Sequence, residues 1–462
     1  MDILKNTKKI HFIGIGGIGM SGLAHLLIKS GYKVSGSDIK RTKLVRKLED
    51  LNINIYIGHN NHNIEGVDLI VYSSSIPSDN PELIAAKSKN IPVISRGKML
   101  AELINQKKGI AVTGTHGKTT TSSLLSYILY KAGLSPTIAV GAEIPLLGGN
   151  AYLGDGEYFV AEADESDGSF LHLSPFYSII TNIEKEHLDY YDSIDDIIKA
   201  YSQFAQHTKK NGCLFAYGDD KNVEKVINNY KNEVITFGLN DSSEIFASDI
   251  KTEGLSSKFK CFYRGNYIDS FLLNIPGIHN VINSLSAIAV CLKLNISKNI
   301  IKEALSLYNG AKRRFQIKGT INNVTIIEDY AHHPTEIKAT LEAARGLKPE
   351  RIIVIFQPHR YTRTRHFKNS FSTSLNEADY LILTNIYPAS EKAIEGISSK
   401  IIYDLIVKKG HKSVYLLPRE KITDHLLKVI KPKDMILVLG AGDIGEVSDE
   451  LVKGLKEQSI CK

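Results

Sequence analysis

A loop between two predicted elements carries the residue types that phosphate binding needs. Residues 109–113 form an apolar run that predicts a strand, and the following segment reads Gly-Thr-His-Gly-Lys-Thr-Thr before a predicted helix. Gly114 and Gly117 allow the backbone N–H groups to turn toward one anion, and the helix start adds unpaired donors. Lys118 supplies positive charge to the outer phosphates, and the hydroxyl of Thr119 can reach Mg²⁺. The predicted nucleotide-binding residues of this loop are Gly114, Thr115, His116, Gly117, Lys118, Thr119 and Thr120.

The loop departs from the standard phosphate loop at one position. The standard pattern has a glycine five residues before Gly117, where this chain has Val112. An ordinary strand-to-helix turn that happens to carry a lysine is therefore the alternative. The placement of both glycines, the lysine and the threonines favours phosphate binding.

A second glycine loop lies near the start of the chain. Residues 14–19 read Gly-Ile-Gly-Gly-Ile-Gly, follow an apolar strand and open a helix, and an aspartate lies 19 residues further on. This spacing is the dinucleotide fingerprint, in which the backbone approaches a diphosphate and the acid binds a ribose. The predicted substrate-binding residues are Gly14, Gly16, Gly17, Gly19 and Asp38. Because residues 440–445 repeat the spacing, tight strand–helix packing alone is the alternative.

Carboxylates and a histidine follow two predicted strands after the phosphate loop. Glu162 and Asp164 come at the end of one apolar run, and strand periodicity places them on the same face. His187 lies in the polar run after the next strand. Since parallel strands present ligands at their carboxyl ends, a carboxylate near Thr119 would complete an oxygen-ligand site for Mg²⁺. An acidic surface turn and an ordinary surface histidine are the alternatives.

Two clusters in the last third of the chain combine cationic and titratable groups. Residues 329–336 read Asp-Tyr-Ala-His-His-Pro-Thr-Glu, leave a strand and enter a helix at the proline. Residues 357–363 place His359, Arg360 and Arg363 after another strand. Arginine can hold a carboxylate or a phosphate with two donors at once. We therefore predict a ligand site at this sheet edge, with a solvated basic turn as the alternative.

Short β-rich runs alternate with helical runs along the chain, which predicts parallel sheets covered by helices. A polar break at 106–109 and a second break near Lys312 divide this pattern. We predict an α/β protein of three domains: an N-terminal Rossmann-like parallel sheet (1–106), a central P-loop ATPase-like mixed sheet (107–311) and a C-terminal Rossmann-like sheet (312–462). Residues 244–275 predict antiparallel strands within the central domain.

Composition limits the partners and the compartment. The 462 residues are 43% hydrophobic, and the net charge of +7 comes without a long Lys/Arg tract, so we expect anionic small molecules and no nucleic acid. The four cysteines are widely spaced, which predicts neither a zinc site nor a disulfide framework and fits a reducing cytosol, so we predict a cytoplasmic location. No segment approaches the roughly 20 apolar residues of a membrane span, so no membrane insertion is expected. The cysteines are Cys213, Cys261, Cys291 and Cys461.

Several stretches together resemble the Mur ligase family, and the resemblance covers essentially the whole chain. The family uses the shorter phosphate loop, so Val112 fits it. By motif, the resemblance implies that Lys118 contacts the phosphates of ATP, that Thr119 and Glu162 hold one Mg²⁺, and that His187 helps to bind a second. The most specific stretches are residues 11–22, 114–121, 162–170 and 329–336.

The resemblance also implies roles for residues of the second and third domains. Asn280 and Asn283 match an asparagine pair near the nucleotide, and Arg314 and Asp329 match nucleotide-facing residues. The first glycine loop would hold the UDP of a sugar nucleotide rather than NAD. The candidate catalytic residues are Lys118, His332, His359, Arg360 and Arg363, of which the last three match positions near the incoming amino acid and the reacting carboxylate.

The activity that the resemblance implies is an ATP- and Mg²⁺-dependent ligation in peptidoglycan precursor synthesis. The lactyl carboxylate of UDP-N-acetylmuramate would form an acyl phosphate, which the amine of L-alanine would attack. Closure of the C-terminal domain would keep water from the acyl phosphate, and a homodimer is one assembly that the resemblance allows. The alternatives are an NAD-dependent oxidoreductase, a nucleotide-gated regulatory protein, and a family member that attaches a preformed tripeptide.

Overall fold

The predicted N-terminal sheet is formed by five short strands that alternate with helices. The computed structural model describes residues 3–389 and 391–460. The strands are β1 (Lys9–Ile13), β2 (Lys33–Asp38), β3 (Asn54–Ile57), β4 (Leu69–Tyr72) and β5 (Val93–Ser95). The helices are α1 (Ile18–Lys29), α2 (Lys43–Glu49), α3 (Pro81–Ser88) and α4 (Arg96–Ile104). All neighbouring strands pair in parallel, in the order β3-β2-β1-β4-β5. The first glycine loop therefore lies at the carboxyl end of the central strand.

The central sheet combines a parallel centre with antiparallel edges. Its strands are β6 (Lys108–Thr113), β7 (Thr137–Ile144), β8 (Gly149–Tyr152), β9 (Tyr158–Glu162), β10 (Tyr177–Ile180), β11 (Cys213–Tyr217), β12 (Val234–Gly238), β13 (Ile245–Glu253), β14 (Ser256–Tyr263) and β15 (Asn266–Leu273). Its helices are α5 (Lys118–Lys131), α6 (Ile194–Gln206), α7 (Lys221–Asn228), α8 (Ile278–Lys293) and α9 (Lys298–Leu307). The order is β15-β14-β13-β12-β11-β10-β6-β9-β7-β8. Strands β10, β6 and β9 are neighbours, so their carboxyl ends meet at one edge.

The C-terminal sheet has six strands, of which one is antiparallel. The strands are β16 (Gln316–Ile321), β17 (Val324–Asp329), β18 (Arg351–Phe356), β19 (Tyr380–Leu383), β20 (Val414–Leu416) and β21 (Asp434–Leu439). The helices are α10 (Pro334–Gly346), α11 (Tyr361–Leu375), α12 (Lys400–Lys408), α13 (Ile422–Val429) and α14 (Gly445–Ile460). The order is β16-β17-β21-β18-β19-β20, and only β16 runs antiparallel to its neighbour among these strands. Short 3-10 helices occupy Asn61–Ile64, Pro145–Leu147, Ser169–His172 and Arg419–Lys421.

The three α/β domains and the mixed central sheet confirm the predicted fold class. The antiparallel strands predicted in residues 244–275 are β13, β14 and β15. The edge strand β16 was not predicted, and it makes the third sheet mixed. The exact domain boundaries at 106 and 311 stay a prediction.

The domains pack together in two different ways. One cluster of buried apolar side chains continues from the N-terminal sheet, at Phe12, to one face of the central sheet, at Phe159 and Phe170. The described apolar core of the C-terminal domain forms separate clusters on the two faces of its own sheet. Ion pairs connect it to the central domain at Arg363–Glu186 and Arg360–Asp189, and near the linker the carboxylate of Glu143 meets Lys312. The central and C-terminal domains therefore meet through charges rather than a shared core.

Two sequence-based expectations need separate mention. The cysteines at 213, 261 and 291 are buried and free, and Cys461 lies outside the described residues. Of the helices in residues 3–389 and 391–460, none combines the length and apolar character needed to cross a membrane.

Candidate functional site

The phosphate loop joins β6 to α5 with two glycines in conformations that other residues disfavour. Gly114 has a φ of +138° and Gly117, the residue before the helix, a φ of +82°. A Cβ atom at Gly114 would collide with the Thr181 hydroxyl, and one at Gly117 would collide with the Asn283 side chain. Glycine is therefore required at both positions for conformation and for space. The loop leads directly into the N-terminus of α5, where unpaired N–H groups favour an anion.

The segment after β10 holds this loop in place. The side-chain oxygen of Asn182 accepts a hydrogen bond from the backbone N–H of His116 at 2.8 Å. The Asn182 amide nitrogen and the Thr181 hydroxyl both donate to the His116 carbonyl, at 3.0 and 2.5 Å. Neither Thr181 nor Asn182 was assigned a role from the sequence. Their contacts fix the loop before any nucleotide arrives.

Lys118 points back across the loop. Its ammonium group donates to the Gly114 carbonyl at 2.6 Å and to the carboxylate of Glu165 at 2.8 Å. Burial lowers the pKa of Lys118, but the negative charges of Glu165 and Asp164 outweigh burial and raise it above its ordinary value. The lysine is therefore a fixed positive charge at the place where the loop N–H groups converge.

A hydroxyl and a carboxylate meet next to the loop, as the sequence predicted. The Thr119 hydroxyl lies 2.9 and 3.1 Å from the two carboxylate oxygens of Glu162, the last residue of β9. The Arg314 guanidinium donates to the same hydroxyl at 3.1 Å, so the C-terminal domain reaches this point. Hydroxyl and carboxylate oxygens are the hard donors that Mg²⁺ prefers. Thr119 and Glu162 therefore fit a magnesium ion.

The prediction that Asp164 shares a strand face with Glu162 is wrong. Strand β9 ends at Glu162, so the two-residue periodicity does not extend to Asp164. Asp164 instead forms an ion pair with Arg96 of the N-terminal domain at 2.8 Å. A Cβ atom at Gly19 would lie 3.1 Å from the Arg96 side chain, so this arginine stands between the two glycine loops.

A cavity of about 530 Å³ opens beside the phosphate loop, between the central and C-terminal domains. Asn280 and Asn283 of α8 line it, and their side chains hydrogen-bond to each other at 3.3 Å. Arg314, whose guanidinium lies 5.1 Å from the ring centre of Tyr330, and Asp329 line the facing wall. Burial raises the pKa of Asp329 to about 6, although Arg314 acts in the opposite direction. The predicted nucleotide residues of both domains therefore face one cavity.

The first glycine loop is tied to its own aspartate. Gly14 has a φ of +80°, and the backbone N–H of Gly16 donates to an Asp38 carboxylate oxygen at 2.8 Å. Gly17 precedes α1 in an extended conformation, and no side chain caps that helix. Asp38 therefore holds the loop together, and its ribose contact stays a prediction. The loop presents an uncapped helix N-terminus, which suits a diphosphate.

The candidate catalytic side chains of the C-terminal domain meet the segment after β10. Arg363, 7% exposed, donates to Glu186 at 3.0 Å and contacts the His359 ring nitrogen Nδ1 at 3.0 Å. Arg360 pairs with Asp189 at 2.7 Å. Burial raises the pKa of Glu186, but Arg363 and the nearby histidines outweigh burial and lower this pKa to about 2. These arginines therefore connect the C-terminal domain to the central domain, and their catalytic roles stay a prediction.

Two histidines of this cluster are held neutral. Burial lowers the pKa of His332 to about 3 and that of His359 to about 2. The His332 Nδ1 atom lies 2.9 Å from the Tyr330 carbonyl, which can only accept, so Nδ1 carries the proton. Its Nε2 atom is then the basic nitrogen.

His187, predicted to help bind a second magnesium ion, contacts a different carboxylate. Its Nε2 atom lies 3.3 Å from Glu165, the partner of Lys118. The residue has a φ of +54°, which is uncommon for a residue with a side chain. His187 therefore belongs to the Lys118 cluster, and its metal role stays a prediction.

Other side chains of the protein occupy the space beside the second glycine repeat, residues 440–445. Arg313 donates to the carbonyls of Gly440 and Gly442 at 2.8 and 3.0 Å. Gln357 donates to Asp443 at 2.8 Å, and a Cβ atom at Gly442 would collide with the Gln357 side chain. Close packing after β21 therefore explains these glycines.

Several residues that shape the site were not assigned from the sequence. Glu165 lies within the stretch 162–170 but was given no role of its own. Arg96 lies 68 residues from its partner Asp164, and no local pattern marks it. Glu336 is different, because it follows His333 and Pro334 at the spacing of a helix capping box, and this signal was readable. Glu184 was visible only as a polar residue after a strand.

A phosphate loop, a magnesium-compatible pair and a cavity between two domains define a nucleotide-binding protein of three α/β domains. Three family models match it: "Mur ligase family, catalytic domain" over residues 9–108, "Mur ligase middle domain" over 112–291, and "Mur ligase, glutamate ligase domain" over 313–442. The chain belongs to the Mur ligase family.

Relatives similar over nearly the whole chain are known. The UDP-N-acetylmuramate–L-alanine ligase of Geotalea uraniireducens (strain Rf4) is 46% identical over 97% of this chain and 98% of its own length. The structure of UDP-N-acetylmuramate-alanine ligase MurC from Thermotoga maritima has a TM-score of 0.84 at 32% identity, covering 98% of this chain and 99% of that one. A murein peptide ligase from Psychrobacter arcticus 273-4 has a TM-score of 0.74 at 25% identity, covering 97% and 98%.

Proposed function

We propose that this protein joins L-alanine to the lactyl carboxylate of UDP-N-acetylmuramate, with ATP converted to ADP and phosphate, in peptidoglycan precursor synthesis. The observation that carries the proposal is the position of Lys118, Thr119 and Glu162 beside a cavity that Gly117 and Thr120 of the same loop line. Arg314 of the C-terminal domain lines this cavity too and donates to the Thr119 hydroxyl. The names of the full-length relatives at 43–46% identity support the two substrates.

In the first step, an oxygen of the substrate carboxylate forms a bond to the γ-phosphorus of ATP. The bond between that phosphorus and the β–γ bridging oxygen breaks, and ADP leaves with the electron pair. Lys118 and the N–H groups after Gly114 and Gly117 stabilise the charge that spreads over the phosphoryl oxygens. The product is an acyl phosphate. Its carbonyl carbon carries phosphate, a good leaving group, where the carboxylate would have had to lose oxide.

In the second step, the nitrogen of L-alanine bonds to the acyl carbon and the C–O bond to phosphate breaks. The nitrogen must first lose its ammonium proton, and His332 and Asp329 are the candidate acceptors. Asp329 is the stronger base of the two, because burial raises its pKa to about 6, whereas the pKa of His332 is lowered to about 3. Arg360 and Arg363 are candidates for holding the alanine carboxylate or the reacting carboxylate, since guanidinium groups bind carboxylates with two donors.

Magnesium is part of the proposal. Thr119 and Glu162 would hold one ion and His187 would help with a second, and the ions would supply positive charge to the phosphate oxygens. UDP would lie on the loop of Gly14, Gly16, Gly17 and Gly19, with Asp38 near its ribose. A cytoplasmic location and a homodimer stay predictions.

Phosphate release tests the proposal directly. The complete reaction contains the protein, ATP, Mg²⁺, UDP-N-acetylmuramate and L-alanine, and omission of any one component should abolish release. Lys118→Met should lower turnover at least 100-fold. Lys131→Met is the matched control, because Lys131 lies at the other end of α5 and pairs with Glu303. Release that continues without the sugar nucleotide would reject the proposal.

The similarity to murein peptide ligases suggests a tripeptide as the alternative to L-alanine as the substrate that is joined. A solved relative from Neisseria meningitides is named for L-alanyl-gamma-D-glutamyl-meso-diaminopimelate rather than alanine. Competition between L-alanine and this tripeptide at equal concentration separates the two activities. Preferential incorporation of the tripeptide would assign the chain to peptide ligation instead.

A further inference from the structure

Three side chains from two domains converge beside the nucleotide cavity. His116 and Glu184 come from the central domain and His333 comes from the C-terminal domain, and one potential ligand atom from each lies within 4.8 Å of the others. We propose that His116, Glu184 and His333 form a binding site for a divalent transition-metal ion of the zinc type. The site is separate from the Thr119–Glu162 pair, and the proposal does not depend on the ligase activity.

His116 is oriented as a metal ligand. Its Nδ1 atom lies 3.1 Å from a carboxylate oxygen of Glu336, so this nitrogen has a partner for its proton. The opposite nitrogen, Nε2, has no hydrogen-bond partner among the described residues and lies 3.5 Å from Glu184 Oε2. A histidine that donates one ring N–H to a carboxylate and directs the other nitrogen to the ion is the usual arrangement in metal sites.

His333 approaches the same Glu184 carboxylate from the other domain. The residue is 4% exposed, its Nδ1 atom lies 3.9 Å from the same Glu184 oxygen, and its Nε2 atom lies 3.5 Å from a Glu186 oxygen. Nδ1 accepts the Thr335 backbone N–H at 3.4 Å, so it is the nitrogen without a proton, and a metal bound there would replace this long hydrogen bond. Each imidazole thus has the shared Glu184 carboxylate near one ring nitrogen and a second carboxylate, Glu336 or Glu186, near the other.

The donor set indicates which ions fit. Two imidazoles and one carboxylate are typical ligands of zinc, whereas magnesium prefers oxygen ligands throughout. Ligand atoms around a tetrahedral zinc ion lie about 3.3 Å apart, given bonds of about 2.0 Å. The distances of 3.5 and 3.9 Å from Glu184 Oε2 are close to this value. The two histidine nitrogens lie within 4.8 Å of each other, so binding would draw the two domains' ligands together. His116 and Glu184 also line the nucleotide cavity, so the remaining coordination position of a bound ion would lie toward this cavity.

The position of the ligands has a mechanical consequence. Because the metal would bind residues on both sides of the domain interface, it would hold the central and C-terminal domains together. The same bound ion would face the nucleotide cavity. We therefore expect zinc to stabilise the closed arrangement and to inhibit any reaction that requires the domains to open.

Zinc titration of the full-length protein tests the site without any turnover. The titration uses zinc alone at pH 8, with millimolar Mg²⁺ present to fill oxygen-ligand sites and a chromophoric chelator as competitor. We expect one tightly bound zinc per chain, with X-ray absorption showing two imidazole ligands. Glu184→Gln and His333→Asn should each weaken binding at least tenfold, and Glu336→Gln should weaken it about tenfold through His116.

Two features make the outcome decisive. His333→Asn keeps a residue that caps the N-terminus of α10 well, so the helix should form, and circular dichroism checks this. Glu162→Gln is the matched control, because it removes a carboxylate of the proposed magnesium site and should leave zinc affinity unchanged. The proposal is overturned by absent binding, by unchanged affinity in the Glu184→Gln/His333→Asn double variant, or by loss of zinc in Glu162→Gln.

Discussion

The ammonium group of Lys118 lies 2.8 Å from the carboxylate of Glu165, which is 2% exposed. The same carboxylate lies 3.3 Å from His187, and the Lys118 ammonium also meets the Gly114 carbonyl. Glu165 is therefore the counter-charge of Lys118 in this structure. If Lys118 binds phosphate as predicted, a triphosphate must share or take over this lysine, and Glu165 would then link the stability of the loop to its function.

The first prediction separates these two effects. Lys118→Met leaves Glu165 as a buried carboxylate without its main counter-charge, so we expect the free energy of unfolding to fall by about 3 kcal/mol. Adding Glu165→Gln removes the uncompensated charge and should recover most of the loss, while phosphate release stays absent. Urea unfolding and the release assay measure the two quantities. A double variant that regains activity would show that Lys118 does not act on phosphate.

The second prediction concerns the glycine before α5. Gly117→Ala meets both a positive φ and the Asn283 side chain, so we expect ATP affinity to fall at least tenfold. Gly133, near the other end of α5, has a φ of +74° and open space around it. Gly133→Ala should therefore cost about 1 kcal/mol of stability and leave ATP affinity unchanged. Equal ATP affinities in the two variants would show that the positive φ and the crowding at Gly117 do not control ATP binding.

The third prediction compares two arginines of α11 and its N-terminus. The side chains of Arg363 and its partner Glu186 are 6% and 8% exposed, whereas those of Arg360 and Asp189 are 31% and 39% exposed. Arg363→Met should destabilise the protein by about 3 kcal/mol, because a buried carboxylate loses its partner. Arg360→Met should change stability by less than about 1 kcal/mol. Thermal and urea unfolding test this contrast, and similar losses in both variants would contradict it.

The fourth prediction uses a buried carboxylate of the N-terminal domain. Burial raises the pKa of Glu82, but the His11 ring 3.7 Å away and hydrogen bonds from Ser37 and Asn63 outweigh burial and lower the pKa to about 2. A carboxyl with a lowered pKa contributes stability above its ordinary pKa of 4.5, and this contribution is lost as pH falls toward 2. We expect about 2 kcal/mol of this stability to disappear between pH 5 and pH 3.

Glu82→Gln tests that assignment, since a glutamine cannot titrate. The variant should lose less stability than the wild type over the same pH range in urea unfolding. Glu65→Gln is a control, because Glu65 is an exposed glutamate of the same domain that pairs with His62. An unchanged pH dependence in Glu82→Gln would place the acid-sensitive group elsewhere.

The sequence anticipated the elements well where periodicity and loop chemistry are local. The apolar run 109–113 is strand β6 with Lys108 added at its start, and the antiparallel strands expected within 244–275 are β13, β14 and β15. The antiparallel strand Gln316–Ile321 was missed because its burial alternates weakly at a sheet edge. Asp164 was misplaced because a periodic pattern does not reveal where a strand ends.

What the sequence determined by itself is the set of chemical groups and the elements that carry them. Glycines that must adopt a positive φ, a lysine and a threonine at a helix start, and carboxylates after apolar strands are fixed by local order along the chain. Only the tertiary structure decided which groups meet. Glu165 reaches Lys118, Arg314 reaches Thr119, and His333 approaches His116, because strand order and domain packing bring together residues up to about 220 positions apart. Such distances depend on the packing of whole domains, which no local pattern of residues encodes.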